Sequence, residues 1–210
     1  MMGYPLAVGG DLSLTKSGLA WPDGVVVTHG RDGLTSQRTP LQERGQALMG
    51  LVWDLGSLIG CRTLGGDLTG LAETVEWPAL VVLEDFPPTS DQRIDPERGY
   101  LWWSLVNLLG RFGVPVLPVP PATLKIYACG LGSAHKDTVW AGVAEHFPQY
   151  EIHNTHKTTG KVLASKSYDR ADAVTLMAIG CDLLGAPLVE LPAKHRRALD
   201  TLELPPGVKL

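Results

Sequence analysis

Asp11, Glu84, Asp169 and Asp172 are the residues of this chain whose type and setting best suit chemistry. Asp11 lies inside an apolar, glycine-rich start, Leu6-Ala7-Val8-Gly9-Gly10-Asp11-Leu12, and Glu84 closes the run Ala79-Leu80-Val81-Val82-Leu83-Glu84. Asp169 and Asp172 stand three apart at the head of an Ala/Leu/Met-rich segment that continues to Ala178. A carboxylate beside a buried run costs free energy unless it is paired or bound to a cation. Several converging carboxylates make an all-oxygen site for hard ions such as Mg²⁺ or Mn²⁺. Such a site supports phosphodiester hydrolysis, in which two ions about 3.5–4 Å apart activate water, neutralise the phosphate and stabilise the leaving oxygen. Taken singly, each acid has a plainer explanation; Asp169, for instance, could be an ordinary helix N-cap. Asp11 is the hardest to explain that way, because apolar residues flank it on both sides.

The elements that must position these acids follow from the spacing of apolar residues. Leu6 to Leu12 reads as a buried strand, and Ser17–Trp21 and Val25–Thr28 as a hairpin around the turn signal Pro22-Asp23-Gly24. An amphipathic helix is expected from Pro40 to Ile59, a strand from Ala79 to Glu84, a helix from Glu97 to Phe112 and a strand from Val114 to Val119. Pro120-Pro121 opens a further helical piece, Ala134 to His146 forms another, and the last helix runs from Asp169 to Leu184. Glu151 to Lys166 reads as polar and irregular. A hairpin followed by strands with helical crossovers implies an α/β fold with a mixed five-stranded sheet and helices on its faces. If the first and fourth strands are neighbours, Asp11 and Glu84 fall side by side. Asp169 and Asp172 then share one face of a helix laid over the sheet.

Composition narrows the class. The 210 residues suffice for one domain, and 44% hydrophobic with 19% charged residues is the balance of a folded globular protein. We assign residues 1–184 to that domain and treat 185–210 as a proline-rich C-terminal extension. A net charge of −4 argues against an all-round basic coat, although nucleic-acid binding needs only a local basic groove. No apolar run reaches the ~18 residues of a membrane span. Cys61, Cys129 and Cys181 are odd in number and widely spaced, as expected for reduced thiols in a cytoplasmic protein without structural zinc.

The chain also resembles the RuvC family of Holliday-junction resolvases, within the RNase H-like nuclease superfamily. The resemblance rests on Gly9-Gly10-Asp11-Leu12-Ser13-Leu14-Thr15 with Ser17-Gly18-Leu19-Ala20, on Val82-Leu83-Glu84-Asp85-Phe86, and on Val119-Pro120-Pro121-Ala122-Thr123-Leu124-Lys125. Gly130-Leu131-Gly132-Ser133-Ala134-His135-Lys136-Asp137 and Asp169-Arg170-Ala171-Asp172-Ala173 complete it, in the family's order. It implies a metal-dependent endonuclease, usually a homodimer, that cuts two strands of a four-way DNA junction to leave 5′-phosphate and 3′-hydroxyl ends. Asp11, Glu84, Asp169 and Asp172 match the family's catalytic acids, and Lys125 and Lys136 its basic residues near the cleaved backbone. Bacterial members carry an aromatic three residues past the glutamate; here Phe86 stands two past it and prolines follow. Phe86 is either a base-stacking wedge or a seal on the sheet's end. The 151–166 insert and the tail suggest a phage-type member with looser substrate choice.

DNA affinity would draw on Arg93, Arg98, Lys125, Lys136, Lys157, Lys161, Lys166 and Arg170, with strong salt dependence. The Lys157–Lys166 loop, beside the acidic helix start, is placed to hold the strand being cut. Lys157-Thr158-Thr159-Gly160-Lys161 is not a phosphate loop, since the earlier glycine and the Ser or Thr after the lysine are missing. Sugar and acetate kinases open with a similar glycine-aspartate hairpin, but they need a second domain for which 210 residues leave no room, so no nucleotide cofactor is expected. A general structure-selective nuclease and a catalytically silent junction binder remain as alternatives. Of Trp102 and Trp103, adjacent on a helix, one is expected in the core and one at a dimer contact. Lys194 to Arg197 reads as a solvated tail.

Overall fold

The computed structural model describes residues 7–31, 34, 39–61, 77–85, 96–156, 159 and 161–208. Phe86, Arg93 and Lys157 lie outside the described residues.

Five strands form one sheet: β1 (Ala7–Asp11), β2 (Ser17–Ala20), β3 (Val26–His29), β4 (Leu80–Glu84) and β5 (Val116–Val119), in the spatial order β3-β2-β1-β4-β5. β1 pairs antiparallel with β2 and parallel with β4, so the sheet is mixed, as expected. The β1–β4 register sets Gly10 opposite Leu83, which makes Asp11 and Glu84 the next pair at the carboxyl ends of two parallel strands. Ligands of open α/β sheets gather outside such strand ends.

Side-chain alternation decides which face those acids use. On β1, Ala7 packs into the core on one side of the sheet and Val8 into the core on the other. On β4, Leu80 and Val82 go with Ala7, whereas Val81 and Leu83 go with Val8. Asp11 and Glu84 share the parity of Ala7 and Val82, so both carboxylates emerge on the same face. That face is covered by α3 (Pro121–Cys129), α4 (Lys136–His146) and α5 (Tyr168–Leu183); α1 (Leu41–Cys61) and α2 (Pro96–Arg111) cover the other. Ala7, Val8 and Leu80 to Leu83 are fully buried. Burying one Val or Leu side chain stabilises by about 1.5–3 kcal/mol, so the run offsets the cost of holding two acids at its end.

Two segments differ from expectation. Within 151–166, expected to be irregular, β6 (His153–Thr155) and β7 (Val162–Lys166) pair antiparallel as a separate two-stranded unit, the β6–β7 hairpin. The hairpin is missed by pattern because all five residues of β7 are exposed, leaving no apolar alternation to read. The described part of the extension, 185–208, folds back on α3 through α6 (Ala193–Arg196) and a 3-10 turn at Leu199–Thr201. Lys194 to Arg197 is therefore not a solvated tail. Leu191, His195 and Ala198 are buried, His195 Nδ1 lies 2.9 Å from the Tyr127 carbonyl oxygen, and Arg196 pairs at 2.9 Å with the buried Asp182. Among the described residues no helix is long and apolar enough to cross a membrane.

Candidate active site

The acids reach one place because α5 lies directly on β1 and β2. A Cβ built on Gly9 would fall 2.1 Å from the carbonyl oxygen of Ala173, so only glycine lets the helix backbone come this close. Ser167 is the N-cap of α5; Asp169 lies in its first turn, where the unpaired amides favour negative charge, and Asp172 follows three residues on. The resulting cleft, about 520 Å³, is lined by Asp11, Glu84, Asp169 and Asp172. Arg98 from α2, Lys125 from α3 and Lys136 from the first turn of α4 bring positive charge to the same walls.

The cleft holds its carboxylates at a cost. Asp11 is 8% exposed, and its carboxyl holds its proton well above the usual carboxylate range, first because of burial and then because of Glu84, Asp172 and Asp169. Burial and the neighbouring Glu84 push Asp172 up to about 7, against the opposing pull of Lys136 and Lys125. Glu84 is also raised by burial, while Arg98 and a hydrogen bond with the Asp11 carboxyl hold it back. Crowded buried acids of this kind relax by taking up protons or cations, and an all-oxygen donor set suits a hard divalent ion. Among the described residues, however, no three His, Cys, Asp or Glu side chains close around a single point as a ready-made cage. Asp169 leans to one side, its Oδ2 3.5 Å from Lys16 Nζ.

This architecture has solved counterparts. RuvC of Thermus thermophilus superposes with a TM-score of 0.50 at 20% identity, covering 86% of this chain and 96% of its own. The chain has the RuvC fold. T. thermophilus RuvC in complex with Holliday junction substrate superposes with the same score over the same shares at 16% identity. The yeast mitochondrial Holliday junction resolvase Ydc2 gives 0.44 at 16% identity, over 94% of this chain and 82% of its own. No family model and no curated protein matches the chain.

On this RuvC fold the expected basic residues divide. Lys125 and Lys136 line the cleft, and Lys136 Nζ lies 5.9 Å from the Tyr168 ring centroid. Lys161 is exposed on the hairpin. Lys166 is engaged, its ammonium 2.5 Å from Asp137 Oδ1 and 5.1 Å from the Trp140 ring centroid. Arg170 corrects the expectation of a DNA contact. It is 6% exposed, and its guanidinium donates to the Glu151 carbonyl and to Thr155 Oγ1, both at 3.2 Å. It clamps the hairpin to α5. Trp102 is buried and donates to the Glu84 carbonyl at 3.1 Å, while Trp103 is 66% exposed, so the adjacent pair divides between inside and outside. Sequence reasoning missed Lys16, Trp140, Tyr168 and Asp137. Tyr168 and Asp137 each adjoin a residue already singled out, and Tyr168 Oη donates to Asp137 at 3.0 Å.

Proposed function

We propose that the chain is a divalent-cation-dependent endonuclease that cuts four-way DNA junctions and acts as a homodimer. The observation that supports this reading above all is the delivery of four acids from three separate elements, β1, β4 and α5, to one cleft flanked by Lys125 and Lys136. The fold points the same way, since the superposed RuvC is one that has been solved with a Holliday junction substrate.

Asp11, Glu84, Asp169 and Asp172 would hold two Mg²⁺ or Mn²⁺ ions in the cleft they line. Such ions supply Lewis-acid activation of the attacking water and of the phosphate. The residues themselves do the positioning. Asp11 and Glu84 are fixed by the parallel register, and α5 is fixed by its contact with Gly9. Lys136, on the open rim, offsets charge on the scissile phosphate as a point cation. Lys125 and Arg98 extend that positive wall, and the exposed Lys161 offers a contact to the flanking strand. Cleavage leaves 5′-phosphate and 3′-hydroxyl ends, and two protomers nick symmetrically. The exposed Trp103 and Tyr100 stand on α2, which covers the sheet face opposite α5, and offer an apolar surface to the second copy.

The test is cleavage of an end-labelled synthetic four-way junction with Mg²⁺ or Mn²⁺, wild type against Asp11→Asn. Paired symmetric nicks that vanish in the variant are expected. Cuts scattered over flaps and forks would make the protein a general structure-selective nuclease. Binding without cuts would make it a silent junction binder, and equal rates for both proteins would remove Asp11 from the chemistry.

A further inference from the structure

Lys16 sits in the turn between β1 and β2, a turn held at both ends. Ser17 Oγ donates to the Ser13 carbonyl at 2.7 Å and accepts from the Ser13 amide at 3.0 Å. On the far side, a Cβ on Gly30 would fall 2.1 Å from the Thr15 carbonyl oxygen, so β3 runs hard against the turn. From this fixed base the Lys16 ammonium reaches two partners. It lies 3.5 Å from Asp169 Oδ2 and donates to Asn154 Oδ1 of β6. Asn154 is itself held across the hairpin, its Nδ2 donating to Ser165 Oγ at 3.1 Å and to the Lys166 carbonyl at 2.7 Å. A continuous chain of contacts therefore runs from β7 through Asn154 and Lys16 to an acid of the cleft.

Stability does not account for this arrangement. The Lys16 and Asp169 side chains are 40% and 30% exposed, and ion pairs that wet contribute about 0–1 kcal/mol. A direct meeting with DNA in the cleft does not account for it either, because the neighbouring Thr15 lines the cleft and Lys16 does not. Lys16 approaches Asp169 from the hairpin side. A lysine ammonium, with three donors, can hold one carboxylate oxygen and one amide oxygen together.

We infer that Lys16 is a positioning residue for Asp169, and that through Asn154 it makes the β6–β7 hairpin part of the apparatus that sets the cleft's geometry. This rests on the nuclease reading. An acid displaced by about 1 Å costs on the order of 10²-fold in rate, so a contact worth little to folding can matter greatly to chemistry.

The test uses the full chain with Lys16→Met, Lys16→Arg, Asn154→Ala and the Lys16→Met/Asn154→Ala double variant. Steady-state cleavage of a four-way junction, calorimetric titration with Mn²⁺, thermal melting and amide hydrogen exchange are all measured. Lys16→Met is expected to lower kcat on the order of 10- to 100-fold with KM for the junction unchanged. Mn²⁺ affinity should change by less than kcat, since the lost ammonium no longer competes for Asp169 while the loosened carboxylate holds a cation less firmly, and melting should be nearly unchanged. Lys16→Arg should recover most of the rate. The double variant should be no slower than Lys16→Met, because both substitutions break one chain of contacts. A raised KM at unchanged kcat would make Lys16 a DNA contact instead, and a wild-type kcat would remove it from the site. Exchange separates this inference from the nuclease reading. Lys16→Met should speed exchange at the paired amides of the β6–β7 hairpin, and unchanged exchange there overturns the link whether or not the wild type cuts DNA.

Discussion

A Cβ on Gly18 would lie 2.1 Å from the carbonyl oxygen of Asp169, so the backbone of β2 touches the first turn of α5 at the acid itself. The same relation recurs at Gly9, beneath Ala173 and Met177. In each case the obstructing atom is backbone, which cannot swing aside as a side-chain tip can. Gly18→Ala must therefore push α5 away from the sheet and carry Asp169 and Asp172 with it. We expect a loss of about 1–3 kcal/mol or more from overpacking, together with loss of cleavage. Gly45→Ala, in an exposed part of α1 with nothing within 4 Å of the new Cβ, should instead stabilise by about 0.5–1 kcal/mol. Urea unfolding of the two variants checks the contrast; equal midpoints would show that the helix yields freely.

That contact also marks where reading the sequence stops. The meeting of Asp11 with Glu84 was legible, because alternation along two apolar strands puts both acids on one face once the strands are neighbours. The closeness of α5 was not, since glycine in a strand signals a close approach without saying what approaches. The β6–β7 hairpin was hidden because its second strand is solvated on both faces. The tail was hidden by its prolines, although Leu188, Leu191, His195, Ala198 and Leu202 recur at helical spacing and pack on the core. Arg170 was legible as a charge but not as a direction. One step along a helix is about 100°, so it points away from its neighbour Asp169.

Asp11→Asn separates chemistry from folding. The wild-type carboxyl is buried among three other acids, which is why its proton is held so firmly. An isosteric amide removes that repulsion while keeping the volume. In metal-free buffer near neutral pH the variant should melt no lower than the wild type. Its junction cleavage should fall by at least ~10²-fold, the scale on which one preorganised electrostatic group contributes. Melting curves and single-turnover cleavage are the measurements; a variant that melts far lower and still cuts would reverse the assignment.

The cleft should also make stability depend on pH and on cations. Folded Asp172 keeps its proton up to about 7, whereas the unfolded chain releases it near 3.8. Between those values the folded state binds the extra proton, so stability falls as pH rises. The contribution is complete below the lower value and lost above the upper one. Asp11 and Glu84, both raised, act in the same sense. With chelator present, Tm should drop between about pH 4 and about pH 7, and Asp172→Asn should flatten part of that slope. Mg²⁺ or Mn²⁺ should raise Tm more at the higher pH, because a cation must displace those protons to bind. A cation effect that is equal at both ends would place the ions elsewhere.

Lys136 and Arg170 carry the same charge and should respond in opposite ways. Lys136 is exposed on the rim of the cleft and free to meet a phosphate. Its replacement by alanine should leave Tm unchanged and reduce the slope of log Kobs against log salt for junction binding by about 0.9, the release of one counterion. Arg170 is buried, and two of its hydrogen bonds hold Glu151 and Thr155 against α5. Arg170→Met leaves those acceptors without their charged partner, at a cost of about 1.5–3 kcal/mol for each such bond. It should lower Tm and expose residues 151–166 to limited proteolysis, while leaving the salt slope at the wild-type value. A reduced slope in Arg170→Met with the hairpin still protected would return that arginine to the DNA surface.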